Sequence, residues 1–298
     1  MKKILFTIFL ALILISCGEK SRDSSGVSKN SEPIKIGSKD FTEGLIVSEI
    51  YAFALENEGY RVERVENIAG SVIHTAITSG QIDMYPEYTG TALLSILKLP
   101  LETDSQKVYD TVKEAYAKQF NITWLDYTKA NDSQGLVMRT DKANEYGIKT
   151  ISDLQKHADK LRFASQGEFD LRDDGIPGLT KIYGDFKWKS SKIYDNSLKY
   201  EILKNNEADV TPAYTTEGRL VDKENYTLLE DDKKFWPPYN LTPIVKNEVL
   251  EKYPEISGIL NKISSRIDTQ TITDLNAKVD VDGREYKEVA REFFDSIK

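Results

Sequence analysis

Three tyrosines occupy positions in the sequence from which their rings could reach a bound molecule. Tyr88 and Tyr214 are expected near the carboxyl ends of strands, and Tyr239 follows the stiff, proline-containing stretch at residues 235–238. Rings held by rigid segments suit a cation whose charge is spread over methyl groups, because such a cation has no N–H to donate. Each ring contributes about 0.5–2 kcal/mol to binding such a cation. The three together predict an aromatic cage, although any single tyrosine could belong to a core or a rim.

Three further residues could hold an anionic group on the same ligand. Arg172 offers a planar guanidinium that bonds carboxylates in pairs, but it could instead form a salt bridge with Asp173 or Asp174. Lys39 stands where the first predicted strand meets the first predicted helix, a position that favours anions, and could equally be a solvated surface charge. Thr91 could add a hydroxyl group. These residues predict a ligand that carries both charges, as a betaine does.

The loop at residues 131–134, Asn-Asp-Ser-Gln, is the remaining part of the predicted site. Its Asp132 and Gln134 would bring a carboxylate and an amide to the same place. Because glutamine has no π-face, we expect Gln134 to make polar contacts and not to extend the cage.

No catalytic or metal-binding arrangement is convincing in this sequence. His74 and His157 fall on different predicted helices without a partner at metal-ligand spacing, and nucleotide-binding and nucleophile motifs are absent. The segment 280–283, Asp-Val-Asp-Gly, lacks the later ligands of a calcium loop and is interpreted as a turn before the last helix. We therefore predict a binding protein that has no enzyme activity, no cofactor and no metal.

Short strands alternate with amphipathic helices along most of the chain. In the first part, strands are expected at residues 34–36, 61–65, 82–84 and 122–125, and helices at 42–58, 71–79 and 104–119. A second block has strands near 136–138, 162–164 and 208–211 and helices near 152–157, 177–183 and 198–205. This rhythm predicts mostly parallel sheets with helices on both faces.

Residues 77–90 and residues 203–216 resemble each other. In both segments a helix ends in a turn, a short strand carries aspartate, proline follows three positions later, and Tyr-Thr follows after five. The shared features indicate two similar domains, with coincidence between two turns as the alternative. Because ligands of open α/β sheets bind outside the carboxyl ends of the strands, Tyr88 and Tyr214 are predicted to face one cleft.

The N-terminus is typical of a bacterial lipoprotein signal. A basic pair precedes an apolar run at residues 4–15, which is about half of the ~20 residues that a membrane-spanning helix needs. Cys17 follows a small residue and is the chain's single cysteine, so no disulfide is possible and its sulfur is placed for acylation. We predict a signal peptide at 1–16, a lipid anchor at Cys17 and a flexible tether at 17–32. The alternative is an ordinary signal peptide with an incidental cysteine.

The overall charge narrows the choice of partners. The net charge is −8, and loss of the two lysines in the signal peptide would leave −10. A mildly acidic chain argues against nucleic acid as a partner. The rest of the chain is long enough for two modest domains.

Four motifs follow one another along the chain: IGSKDFTE at residues 36–43, DMYPEYTGT at 83–91, RDDGIPGL at 172–179 and LEDDKKFWPPY at 229–239. In this set and its order, the chain resembles the glycine betaine/carnitine/choline-binding proteins of osmoprotectant ABC transporters. The resemblance implies an α/β clamshell of the type II periplasmic-binding-protein class, with two doubly wound lobes and a cleft between them. It also implies a discontinuous lobe I, at 33–135 and 238–298, and a lobe II at 136–237.

The resemblance carries implications for single residues. It implies that the cage is lined by Tyr88, Tyr214 and Tyr239. It implies that the anionic end of the ligand meets Arg172, Thr91 and Lys39. Many family members have a fourth cage tyrosine at the position of Gln134, so the departure here leaves the identity of the ligand open among the betaines, carnitine and choline.

The implied function is capture of a quaternary-ammonium compound and its delivery to the transmembrane subunit of an ABC permease. The protein would be a monomer in the periplasm or at the cell surface, attached to the membrane through Cys17. An alternative ligand is an amino acid or a sulfur-containing histidine betaine, with Gln134 reading a polar group. A lipid-anchored hydrolase is disfavoured, since we find no activated nucleophile.

Overall fold

The structure, a computed structural model, describes residues 32–171 and 173–298. The predicted signal peptide, Cys17 and nearly all of the predicted tether lie outside these residues, as does Arg172. Within the described ranges, no helix combines the length and the apolar character that a membrane crossing requires.

The described residues form ten strands, numbered β1–β10 in chain order: Ile34–Lys39, Val62–Ile68, Met84–Tyr88, Ile122–Trp124, Gln134–Arg139, Arg162–Ser165, Ser190–Ile193, Val210–Tyr214, Tyr226–Leu228 and Leu241–Lys246. Helices α1–α12 are Thr42–Asn57, Ile73–Thr78, Thr89–Thr91, Ser105–Phe120, Thr140–Tyr146, Ile151–His157, Ile176–Tyr183, Lys199–Lys204, Asn247–Lys252, Ile256–Ser264, Thr269–Asp280 and Tyr286–Ile297. Helix α3 continues as a π-helical turn, Ala92–Ile96. Strands β3 and β8 begin two residues later than predicted and extend to Tyr88 and Tyr214.

The strands form two five-stranded sheets that have the same design. Their orders are β2-β1-β3-β10-β4 and β7-β6-β8-β5-β9. In the first sheet β1 is parallel to β2 and β3, whereas β10 is antiparallel to β3 and β4. In the second sheet β6 is parallel to β7 and β8, whereas β5 is antiparallel to β8 and β9.

Both sheets are therefore mixed. Four of the five strands in each sheet run in one direction, as expected for mostly parallel sheets, and the one reversed strand is β10 in the first sheet and β5 in the second. The antiparallel strands β5 and β10 are the two that follow a passage of the chain from one sheet to the other. A strand that enters from the opposite sheet starts at the end nearest that sheet, so it runs against the strands that are joined through local helices.

Helices cover both faces of each sheet. On one face of the first sheet α1, α10 and α12 form an apolar core, and on the other face α2 and α4 form a second core that includes Tyr116 and Trp124. Two further apolar clusters lie on the faces of the second sheet. This two-sided burial explains why several strands are continuous apolar runs.

The two aspartates of the sequence repeat have the same structural role. Asp83 accepts a hydrogen bond from the backbone N–H of Lys35 at the start of β1, and Asp209 accepts one from the N–H of Arg162 at the start of β6. Both distances are 2.8 Å. Each aspartate thus ties the turn before β3 or β8 to the neighbouring parallel strand.

The chain passes between the sheets through two crossover segments, at residues 130–133 and 237–240. The segments lie side by side, because Asn131 and Asn240 form an antiparallel bridge. The N–H of Asp132 donates to the carbonyl of Tyr239 at 3.1 Å, and the N–H of Tyr239 donates to Oδ1 of Asn131 at 2.6 Å. The crossover segments therefore hold Asp132 and Tyr239 next to each other between the sheets.

Candidate ligand-binding site

A cavity of about 860 Å³ collects side chains from both sheets, from the crossover segments and from α11. Of the eight residues predicted to contact a ligand, seven line this cavity: Lys39, Tyr88, Thr91, Asp132, Gln134, Tyr214 and Tyr239. The eighth, Arg172, lies outside the described residues. The volume falls in the range of roughly 300–1,000 Å³ that is usual for small-molecule sites.

Tyr88 and Tyr214 are the last residues of the equivalent strands β3 and β8, so their rings approach the cavity from different sheets. The Tyr88 side chain is only 4% exposed, and its hydroxyl donates to Oε1 of Glu43 at 2.7 Å. Burial, together with the Glu43 carboxylate, raises the pKa of Tyr88 well above its usual value, so the phenol stays a donor. Tyr214 is 41% exposed.

The threonine that follows each of these tyrosines fastens a crossover segment. Thr89 donates to the carbonyl of Pro238 at 2.9 Å and accepts from the N–H of Asn240 at 3.0 Å. Thr215 donates to the carbonyl of Asn131 at 2.8 Å and accepts from the backbone N–H of Ser133 at 2.9 Å. The repeated Tyr-Thr pair thus places a ring at the cavity and positions the segment that carries Asp132 or Tyr239.

Tyr239 is held from both sides. The residues before it, Phe235 and Trp236, are buried in the core of the second sheet, and the indole N–H of Trp236 donates to the carbonyl of Asp174 at 2.8 Å. On the first sheet, a Cβ at Gly90 would lie 2.8 Å from the Tyr239 ring. The ring therefore packs directly on the Gly90 backbone, which fixes its orientation at the cavity wall.

Gln134 begins β5 and lies directly opposite Tyr214 in the antiparallel pair with β8. Opposite residues in such a pair project from the same face of the sheet. The second sheet therefore presents an amide beside a ring to the cavity.

Lys39 is not a solvated surface charge, which removes one of the two sequence interpretations. It ends β1, is buried, and its ammonium donates to Oε1 of Glu87 at 2.5 Å. The same ammonium lies 4.8 Å from the centroid of the Tyr88 ring. Lys39 thus reaches the cavity as half of an internal ion pair, stacked against a predicted cage residue. Thr91, in α3, is half-buried at the wall.

Sequence reasoning overlooked a buried carboxyl group at the cavity. Glu43, in the first turn of α1, accepts from Tyr88, from the hydroxyl of Thr216 at 2.6 Å and from the amide of Asn276 at 3.2 Å. Burial raises its pKa, and these hydrogen bonds and the Lys39 ammonium partly oppose that rise. Glu43 lies in the motif at residues 36–43, which could have drawn attention to it. Asn276 carries no sequence signal, since it lies in the middle of α11.

A second overlooked carboxyl group lies on the other side of the cavity. Glu217 forms an ion pair with Lys199 and accepts from the hydroxyl of Tyr200 at 2.5 Å and from the N–H of Tyr214 at 3.0 Å. Lys199 lies 5.9 Å from the centroid of the Tyr214 ring. Tyr214, like Tyr88, is therefore accompanied by a lysine–glutamate pair.

Phe41 is an aromatic cavity residue that was also missed. Its ring is 38% exposed and lies 6.2 Å, centroid to centroid, from that of Tyr88, with an angle of 33° between the ring planes. It directly precedes α1, at the carboxyl end of β1. Position after a parallel strand is the signal that could have identified it.

His74 and the acidic segment at residues 280–283 each have a structural role. His74 packs edge-on against Tyr116 and Phe120, and burial lowers its pKa, so it is a half-buried residue at the edge of that core. Asp280 ends α11, accepts from the hydroxyl of Thr42 at 2.6 Å and lines the cavity, so the interpretation of 280–283 as only a turn was incomplete. Among the described residues, no group of histidine, cysteine and acidic side chains could hold a metal ion.

The family model described as the substrate-binding domain of ABC-type glycine betaine transport systems (OpuAC) matches residues 32–296. The chain belongs to this family. It is 34% identical to the carnitine transport binding protein OpuCC of Listeria monocytogenes over 98% of this chain and 96% of that one. It is 33% identical to the ergothioneine transport permease/ergothioneine binding protein EgtU of Helicobacter pylori over 89% of this chain, but it spans only 48% of that longer relative.

The crystal structure of a glycine betaine/carnitine/choline ABC transporter superposes with a TM-score of 0.82 at 29% identity, covering 88% of this chain and 98% of that one. The family resemblance and the periplasmic-binding-protein fold expected from the sequence are therefore confirmed. This OpuAC-family chain is a binding protein and not an enzyme, and it is of the kind that serves as the substrate-binding component of an ABC importer. Such a component works outside the cytoplasm.

Proposed function

We propose that this OpuAC-family protein captures a methylated ammonium compound in an aromatic cage formed by Tyr88, Tyr214 and Tyr239. The supporting observation is that these rings, which come from the two sheets and from a crossover segment, line one cavity. Methyl groups that carry a spread positive charge bind to the faces of such rings. The carboxyl group of Glu43 adds negative potential to the same wall.

The anionic end of the ligand is assigned to Arg172 and Thr91. Lys39 contributes less than its charge suggests, because its ammonium already donates to Glu87. We expect it to stiffen the wall behind Tyr88.

We also propose that residues 33–135 with 238–298 form one lobe and residues 136–237 the other. Ligand would be enclosed when the lobes close about the crossover segments and would then be delivered to the permease. The contact between α11 and the turn Gly218–Val221 supports a closed arrangement, since it joins elements of different sheets.

Calorimetric titration with glycine betaine, carnitine and choline tests the proposal. We expect at least one of them to bind below millimolar concentration. Replacing Tyr88, Tyr214 or Tyr239 by leucine should each weaken that binding about tenfold or more, which corresponds to roughly 1.4 kcal/mol. The matched control is Tyr146→Leu, outside the cavity, which should leave the affinity unchanged. Absence of binding by all three compounds would remove the proposed ligand class.

A second candidate ligand is a sulfur-containing histidine betaine. Glycine betaine has no N–H or O–H. A histidine betaine has ring N–H groups, and these could donate hydrogen bonds to the cavity's carboxyl groups and to Gln134. The likeness to the ergothioneine binding protein of Helicobacter pylori supports the same choice. If ergothioneine binds at least tenfold more tightly than glycine betaine and carnitine, this candidate replaces the simpler betaines.

The protein is further proposed to be attached to the membrane through a lipid on Cys17. Replacing Cys17 with serine should release the protein from the membrane fraction of cells that process lipoproteins. Retention of the serine variant in that fraction would contradict the anchor.

A further inference from the structure

The hydroxyl of Thr216 lies between two carboxyl groups. Its Oγ1 is 2.6 Å from Oε2 of Glu43 and 2.7 Å from Oδ1 of Asp132. Each of these short oxygen–oxygen contacts needs a hydrogen, and a threonine hydroxyl has only one. The second hydrogen must come from one of the carboxyl groups.

The hydrogen-bond donors around the two carboxyl groups indicate that this hydrogen is on Asp132. Glu43 accepts from Tyr88 and from Asn276 besides Thr216, and these donors stabilise its ionised form. For Asp132, the hydrogen bonds that lower the pKa come from Thr216, through its hydroxyl and its backbone N–H. Burial, followed by the Glu43 carboxylate, raises the pKa of Asp132 well above its usual range. Thr216 then donates to Glu43 and accepts from Asp132.

Other charged groups face this pair from several elements. The Lys39 ammonium in β1 favours the ionised form of Glu43, although it is bonded to Glu87 in β3. The carboxylate of Glu217, which follows β8, acts against ionisation of Asp132. In α11, Asn276 donates to Glu43, and Asp280 lies elsewhere on the cavity wall, bonded to Thr42.

We propose that Glu43, Thr216 and Asp132 hold one shared proton across the cleft, and that a bound cation displaces this proton to solvent. The inference rests on the proposed function for its ligand. A positive charge in the cavity favours ionisation of both carboxyl groups, so Asp132 loses its proton to bulk water as the cation enters. The pair thus gains a negative charge only when a cation is present to balance it.

The sign of the pH dependence follows from this exchange. Asp132 has a higher pKa in the free protein than in the complex, so binding releases a proton between those two values. Affinity for the cation should rise with pH by up to about tenfold per unit within that interval and level off above the pKa of the free protein. A neutral ligand of the same shape should show no such rise.

Two measurements test the proposal. The first needs no ligand: carboxyl carbon NMR of the free protein should show a protonated carboxyl group near pH 7 that is missing from Asp132→Asn. If Asp132 instead titrates at its ordinary pKa, the shared proton does not exist, whatever the protein binds.

The second is calorimetry with choline in phosphate and in Tris at one pH, where the difference in binding heat counts the protons released. Choline should release up to about one proton, and its uncharged carbon analogue 3,3-dimethylbutan-1-ol should release none. Asp132→Asn should abolish the release, and Asp280→Asn, which changes a cavity carboxylate outside the pair, should keep it. Choline binding without proton release would overturn the exchange. If choline does not bind, the same calorimetry is made with carnitine or glycine betaine; failure of all three removes the proposed ligand, while the NMR measurement still decides the proton.

Discussion

A phenylalanine at position 41 adds an aromatic face to a cavity in which Gln134 offers an amide. The Phe41 ring is partly exposed and lies beside Tyr88. Phe41→Leu should therefore weaken choline binding about two- to fivefold, because a ring at a partly exposed site contributes about 0.5–1 kcal/mol. Calorimetry with choline and with 3,3-dimethylbutan-1-ol would measure the loss for the charged and the neutral ligand separately.

Phe41→Tyr is the matched control, since it keeps the π-face, and it should retain most of the affinity. An equal loss for both ligands in Phe41→Leu would mean that Phe41 supplies apolar contact and no attraction for charge. No loss for either ligand would remove Phe41 from the binding wall.

Single residues differ in how well the sequence predicts them. The positions of the three tyrosines at the cavity were predictable because each ends a strand or follows a proline-containing stretch, so local structure already constrains where its ring points. The contacts of Glu43 with Thr216 and Asn276 join positions that are 173 and 233 residues apart, and local patterns cannot reveal them. For the same reason, the ion pair of Lys39 with Glu87 was not expected.

At the level of elements, β3 and β8 repeat one structural design. Both strands have proline third and tyrosine fifth, and the following threonine bonds to a crossover segment in each case. The repeat was visible in the sequence because these short-range roles require particular residue types. The directions of β5 and β10 were not visible in the sequence, because they depend on where the chain arrives from the other sheet.

The repeat also differs at one position on the cavity wall. Gly90 and Thr216 occupy equivalent positions, two residues after the tyrosine. The glycine leaves room for the Tyr239 ring, whereas the threonine places a hydroxyl between two carboxyl groups. Divergence at this position gives the cavity an aromatic wall on the first sheet and a polar wall on the second.

Across the whole molecule, the alternation of strands and helices and the four motifs were sufficient to predict two similar α/β units. Their mutual arrangement was not predictable in the same way, because it depends on close approaches between distant segments. One such case, next to cavity-lining residues, is the approach of α11 to Gly218. The amide of Asn276 donates there to the carbonyl of Thr216 at 2.9 Å.

Gly218 therefore offers a test of how closure affects binding. A Cβ at this position would lie 2.7 Å from backbone atoms of Asn276 and Ala277, too close for the present packing. Gly218→Val should hold α11 away from the turn, separate Asn276 from Thr216 and weaken ligand binding at least tenfold. Small-angle scattering with saturating ligand should show a larger radius of gyration for the variant than for the unaltered protein.

Gly258→Val is the matched control, because a Cβ at Gly258 would meet no atom within 4 Å. It makes the same change in side-chain size in α10 without obstructing a contact between the sheets, so affinity and radius of gyration should stay as in the unaltered protein. If Gly218→Val binds ligand and becomes as compact as that protein, the contact between α11 and the turn does not control closure. Closure would then depend on other contacts between the sheets, such as that of Thr216 with Glu43, and on the crossover segments.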